Sequence, residues 1–240
     1  MIRSLLMAGN KKKLFIEFGA NHRADGATGI TMDTTAGSAI PNEEMLLIAI
    51  ASSYDPEYDV LNYFHIDGVT PDFLYDVVDN TDEEHMGIFV GVQSITNGDY
   101  IKTISVDVDP ENTAFGDQYI ETDFRLSYCR VLKKRNMTVV KQEEFTGTTL
   151  YPITVSPIEA QKGDLIVAIM NIRHSADADT LNVSSTTHEV NLLFSDTTET
   201  YPRFKIFTID VDDNTQPSFT FNATDVYQQA VAMYLIIRGN

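Results

Sequence analysis

The chain writes one apolar phrase twice. Leu46-Leu47-Ile48-Ala49-Ile50, within "MLLIAIAS" (45–52), aligns with Leu165-Ile166-Val167-Ala168-Ile169, within "DLIVAIMN" (164–171), at an offset of 165 − 46 = 119 residues in a chain of 240. A strand that is apolar at every position has no face to give to water, so it belongs in the middle of a sheet covered on both sides. Two such strands half a chain apart call for two sheets, each with its own cover.

The rest of the sequence supplies those sheets. "KLFIEFGA" (13–20), "YIKTISVDV" (100–108), "FRLSYCRVL" (124–132), "RFKIFTIDV" (203–211) and "PSFTFNATD" (217–225) alternate apolar and other residues, the period of half-buried strands. Turn-prone clusters such as "NGD", "DPEN", "DDNTQP" and "SADADT" separate them. Helical patterning is sparse: "TPDFLYDVVDN" (70–80) suits one or two helical turns, while "AMYLIIRG" (232–239) reads as strand. After each copy of the phrase three strands follow in the same order: "MGIFVGVQS", "YIKTISVDV" and "FRLSYCRVL" in the first half, "RFKIFTIDV", "PSFTFNATD" and "AMYLIIRG" in the second. Tyr128 and Tyr234 fall at comparable places in the closing strands.

The expected fold is therefore all-β: two tandem antiparallel β-sandwiches of jelly-roll or immunoglobulin-like type, arising from an internal duplication. The expected division is a basic and apolar arm over 1–12, a first sandwich over 13–135, a linker over 136–148 and a second sandwich over 149–240.

Charge narrows the partners. The net charge is −18, and the 78 residues between Arg23 and Lys102 contain no Lys or Arg but 15 carboxylates. Such a surface repels duplex DNA, which is bound through clustered cations. It suits a solvated face, a basic partner or a salty medium. Residues 1–25 carry instead Arg3, Lys11, Lys12, Lys13 and Arg23 against Glu17 and Asp25, a net charge of +3. No apolar run approaches the ~20 residues of a membrane-spanning helix, and the N-terminus lacks the pattern of a signal peptide. A soluble chain made in a cytoplasm is expected.

Chemistry-bearing motifs are few. Cys129, the one cysteine, lies among apolar residues and reads as a buried structural thiol. His22, His65, His85, His174 and His188 form no i, i+4 pair, so no zinc enzyme is expected. Neither a G-x-S-x-G elbow nor a phosphate loop occurs; "GNKKK" (9–13) is only superficially like the latter. The best constellations are acidic turns. Asp107 and Asp109 with Glu111, and Asp210 and Asp212 with Asp213, place alternate carboxylates at strand ends, where hard oxygen ligands could hold an optional Ca²⁺. "DPEYD" (55–59) and "DNTDEE" (79–84) read as ordinary turns. The aromatics of "YDVLNYFHIDG" (58–68) read as sandwich core, with a sugar-stacking platform as the alternative.

Gly163-Asp164-Leu165-Ile166-Val167 and Ile236-Ile237-Arg238-Gly239 resemble a pattern of structural proteins of tailed bacteriophages, in which a "GDLLVA"-like strand opens a small β-sandwich and an apolar strand ending in "RG" closes it. The resemblance covers the second half well and the first loosely. It implies a non-enzymatic virion component, either a capsid decoration or a tail accessory protein, that works through contacts with its own copies and other virion proteins. No nucleic acid or membrane partner and no cofactor is implied, and a homo-oligomer is expected. In that reading Ile2, Arg3, Leu5, Leu6, Met7, Lys11, Lys12 and Lys13 form an assembly arm received by a neighbouring acidic subunit. The alternative is a carbohydrate-binding adhesin or tail-fibre part assisted by Ca²⁺. A glycosidase, needing two carboxylates ~5–10 Å apart, ranks last.

Overall fold

The computed structural model describes residues 14–35, 44–54, 63–79, 86–96, 101–107, 122–132, 136–146, 152–157, 159–172, 181–196, 203–223 and 230–239. In the first half, β1 (Phe15–Ala27), β2 (Gly29–Asp33), β3 (Met45–Tyr54), β4 (Phe64–Ile66), β5 (Phe73–Asp79), β6 (Met86–Ile95), β7 (Thr103–Asp107) and β8 (Thr122–Leu132) form two antiparallel sheets, β1-β8-β3-β6-β5 and β2-β7-β4. The second half holds β9 (Thr138–Thr146), β10 (Ile153–Val155), β11 (Leu165–Ile172), β12 (Leu181–Ser185), β13 (Val190–Ser195), β14 (Arg203–Asp210), β15 (Phe219–Ala223) and β16 (Ala230–Arg238). Its sheets are β9-β16-β11-β14-β13 and β10-β15-β12. Adding eight to every strand number of the first half reproduces the second. The order 1-8-3-6 facing 2-7-4 is that of a jelly roll, with the fifth strand carried on the larger sheet.

The repeated phrase is central in both halves. β3 is the middle strand of the first large sheet and β11 of the second. Its faces agree as well. Leu46, Ile48 and Ile50 lie on one face with their counterparts Leu165, Val167 and Ile169, while Leu47 and Ala49 face their own small sheet, as Ile166 and Ala168 face theirs. The register repeats too: Ala49 pairs with Tyr128, and Ala168 with Tyr234. A small residue opposite each tyrosine leaves room for the ring inside the sandwich.

The two sandwiches are not separate bodies. One apolar layer runs between the large sheets, built from Leu46, Ile48, Ile50, Ile88, Val90 and Val131 on one side and Val167, Ile169, Phe204, Met233 and Leu235 on the other. The molecule is thus four layers deep, small-large-large-small. Contacts place β1 beside β13 and β5 beside β9, with β6 against β11 and β16. First over fifth and fifth over first is the pairing of a two-fold, isologous interface, here closed within one chain. This is why the phrase is apolar on both faces: one covers its own small sheet, the other the opposite half.

Two expectations are corrected. Where helical turns are expected over 70–80, residues 73–79 form β5 instead, because Phe73, Tyr75 and Val77 alternate with Leu74 and Val78 and each set meets a different apolar layer. Within the linker expected over 136–148, residues 138–146 are not free. They carry β9, paired along its length with β16, and its short apolar set Val139, Val140 and Phe145 is masked by the charges of "KQEE". Among the described residues no helix is long and apolar enough to cross a membrane.

Candidate functional site

The resemblance motifs of the second half meet in space. Gly163, at φ 97°, makes the left-handed step into β11 that glycine tolerates best. Its N–H donates to Val211 O at 2.7 Å, and Val211 N–H donates to Asp164 O at 3.0 Å. The nearly buried Asp164 carboxylate then takes two bonds from Arg238 at the end of β16, Nε to Oδ1 at 2.9 Å and Nη2 to Oδ2 at 2.7 Å. Arg238 Nη2 also reaches Glu159 O at 2.8 Å. The hydrogen bond to Asp164 pushes the Arg238 guanidinium up, so this clamp stays charged. Glycine-aspartate opening and arginine-glycine closing are one device, which ties the start of β11 to the end of β16. The first half lacks it. There Glu44 Oε2 accepts Asn136 N–H at 2.7 Å, which joins the start of β3 to the segment after β8.

Polar groups are set into the layer between the sandwiches. Arg125 of β8 is fully buried; its Nε donates to Asp196 Oδ2 of the second half at 3.1 Å, and its Nη1 to Asp25 Oδ1 at 3.2 Å and Phe124 O at 3.1 Å. Burial pushes the Asp25 carboxyl up, but hydrogen bonds from Arg23 and Arg125 outweigh it and hold Asp25 below the usual range. Asn171 Nδ2 donates to Gly87 O at 3.1 Å, again from one half to the other. Phe18 and Phe194 stack across the β1/β13 flank with centroids 4.3 Å apart. None of these polar groups was singled out by the sequence reading. An arginine on a strand reads as surface until the face it shares with Cys129 and Val131 is seen to be covered.

The interiors are filled by aromatic rings. Tyr128, Phe64, Phe89 and Phe124 occupy the first sandwich, and Tyr234, Phe207, Phe219 and Phe221 the second. Tyr128 Oη accepts Thr35 N–H at 3.0 Å, while Tyr234 Oη–H donates to Glu143 Oε2 at 2.5 Å; burial and that carboxylate push the Tyr234 hydroxyl up. Phe64 and Ile66 of the 58–68 segment are core. Cys129 is buried in the layer between the halves, and burial pushes its thiol far up, so it is no nucleophile.

The remaining sequence candidates fall as follows. The arm residues Ile2, Arg3, Leu5, Leu6, Met7, Lys11, Lys12 and Lys13 lie outside the described residues, as do Asp109 and Glu111. Asp107 is exposed at the end of β7, and Asp210 is half-buried at the end of β14. Asp212 and Asp213 are exposed and share a cluster with His188, which sequence spacing does not connect to them. Among the described residues, large exposed apolar side chains sit in two places. Phe15 and Leu192 lie on β1 and β13, the strands of one flank, and Val69 and Ile101 lie near the turn after β4.

No protein-family model, curated protein or solved structure matches this chain.

Proposed function

We propose that this chain is a structural component of a virion, a capsid or tail building block that acts through protein–protein contacts between its own copies and with other virion proteins. Among jelly rolls, viral capsid domains stand beside lectins and cupins. The observation that carries the choice is the pair of jelly rolls packed back to back with interiors filled by aromatic rings. A cupin-type barrel needs an internal cavity, and here that space holds Tyr128 and Tyr234. The resemblance of Gly163–Val167 and Ile236–Gly239 points toward tailed phages and toward a decoration or tail accessory role. In this reading the two halves descend from one duplicated unit whose former dimer contact became the buried layer.

The surface supports an assembly role. With both large sheets spent on each other, contacts with neighbours fall to the edges and small sheets. The flank bearing Phe15 and Leu192 offers 13-residue β1 as an edge strand, the kind of edge that pairs with another chain. The basic arm of residues 1–13 would add apolar anchors received by an acidic neighbour.

The test is assembly of the purified full chain, followed by light scattering and electron microscopy from low to high salt. Oligomers or particles are expected. A Phe15→Asp/Leu192→Asp variant, or a chain lacking residues 2–12, is expected to keep its circular dichroism spectrum but to lose the assembly. A chain that stays monomeric at high concentration and selects glycans on an array would overturn the proposal in favour of an adhesin.

A further inference from the structure

The turn between β12 and β13 holds a buried histidine against two exposed aspartates. Ser185 Oγ accepts the N–H groups of Thr187 and His188, both at 3.2 Å, and donates to Ser218 O at 2.6 Å. Thr187 Oγ1 accepts Ser218 N–H at 2.9 Å. These bonds fasten the turn to the loop between β14 and β15, so the backbone carrying His188 is anchored. The ring is fastened as well: Nδ1 lies 3.0 Å from Thr187 Oγ1.

The other ring nitrogen has no such partner. The His188 side chain is 1% exposed, and its Nε2 is buried without a hydrogen bond. It points toward Asp213 Oδ1, 3.5 Å away. Asp212 completes a group in which one ligand atom from each of the three residues lies within 4.8 Å of the others. With Nδ1–H donated to Thr187, Nε2 would present a lone pair to an anion, which is repulsive unless a cation lies between them. Holding one imidazole nitrogen by a hydrogen bond while the other is left free for the ion is how metal-binding histidines are oriented.

From this we infer that His188, Asp212 and Asp213 form a binding site for a divalent cation of the zinc and manganese class. The spacing fits. Metal–nitrogen and metal–oxygen bonds of about 2.0–2.2 Å at a tetrahedral angle separate the two ligand atoms by about 3.4 Å. Cis positions of an octahedron would bring them to about 2.9 Å, so the observed 3.5 Å favours the tetrahedral, zinc-like case. The donor set agrees, since an imidazole nitrogen selects borderline ions over the all-oxygen preference of Ca²⁺. The backbone N–H of Thr215 bonds Asp213 Oδ1 at 2.6 Å and fixes where that carboxylate stands. Lys162 also acts on Asp213, and a metal would compete with it. The three residues leave at least one coordination position open beside a surface depression of about 400 Å³ lined by Lys162, Asn214 and Thr215. Bound there, the ion would tie the β12–β13 turn to the β14–β15 loop.

The experiment is equilibrium dialysis of the chelator-treated full chain against ZnCl₂, MnCl₂ or CaCl₂, paired with thermal melts and with Co²⁺ as a spectroscopic probe. One Zn²⁺ per chain, a raised melting temperature and tetrahedral Co²⁺ absorption bands are expected. Asp212→Asn and Asp213→Asn, at exposed positions where folding should survive, are each expected to weaken Zn²⁺ binding by about tenfold or more, a loss of at least ~1.4 kcal/mol. Three results would overturn the inference: no Zn²⁺ or Mn²⁺ uptake, which leaves His188 as a direct neighbour of Asp213 and nothing more; uptake of Ca²⁺ alone; or equal Zn²⁺ affinity in the double aspartate variant. None of these readouts depends on whether the chain assembles.

Discussion

Arg125 offers the sharpest test of how the two sandwiches are joined. Its side chain and that of Asp196 are 0% and 2% exposed, and they meet at 3.1 Å from opposite halves of the chain. At that distance and an effective dielectric of 20, the Coulomb term is about 5 kcal/mol, against a desolvation cost of several kcal/mol for each ion. The pair is therefore near break-even relative to an apolar replacement, while either partner alone is a buried charge. Arg125→Met should cost about 3–5 kcal/mol by removing the guanidinium that meets the buried Asp196 carboxylate. Asp196→Leu should cost somewhat less, because Asp25, about half exposed, still serves Arg125 at 3.2 Å. The double variant Arg125→Met/Asp196→Leu should return to within about 1–2 kcal/mol of the parent, since the layer around it is apolar. Urea unfolding followed by fluorescence and circular dichroism measures all three. Because one apolar layer joins the halves, each chain should unfold in a single transition with coincident probes. A loss below about 1 kcal/mol in Arg125→Met, or a double variant no better than the worse single one, would refute this account.

Two further outcomes follow from the same structure. A Cβ at Gly19 would fall 1.8 Å and 2.1 Å from ring carbons of the fully buried Tyr128, so Gly19→Ala should destabilise by about 1–3 kcal/mol in urea melts; an unchanged midpoint would mean the ring is not fixed. On the acid side, burial pushes Asp25 and Asp67 up, but arginine contacts at Asp25 and Lys102 at Asp67 hold both below the ordinary 3.8. A depressed carboxylate stabilises the fold above its unfolded value and loses that contribution as pH falls through its folded value, so stability should drop below about pH 4. Asp25→Asn and Asp67→Asn should flatten that drop in melts run from pH 5 to pH 2.

What could be read from the sequence was whatever depends on neighbours along the chain. Alternation over two residues places Phe124, Leu126 and Tyr128 on one face of β8 without knowledge of any partner. A five-residue apolar run marks β3 and β11 as doubly covered for the same local reason. The identity of the second cover was not local. Leu46 and Leu47 look alike in the sequence, yet one meets the opposite half and the other its own small sheet. Only the folded pairing of β1 with β13 and β5 with β9 separates them. The same limit explains the misreadings. "DFLYDVV" carries an alternation that its two aspartates blur into a helical spacing, and β9 hides a strand behind four consecutive polar residues.

The site followed that rule more strictly. Asp210, Asp212 and Asp213 stood out because acidic residues crowd one turn, but crowding alone cannot distinguish a solvated loop from a ligand set. The distinguishing residue, His188, lies 212 − 188 = 24 positions earlier, and a strand pair must form before it arrives. The signal available beforehand was the run "SSTTH", whose hydroxyls could have been read as turn-formers able to fix a histidine ring, as Ser185 and Thr187 do. Hydroxyl-rich turns that end in histidine beside a β-strand therefore merit the question of what the free ring nitrogen faces. In this chain it faces carboxylates at metal-spanning distance. By contrast Arg238 and Asp164, 238 − 164 = 74 positions apart in sequence, face each other directly and leave no room for an ion.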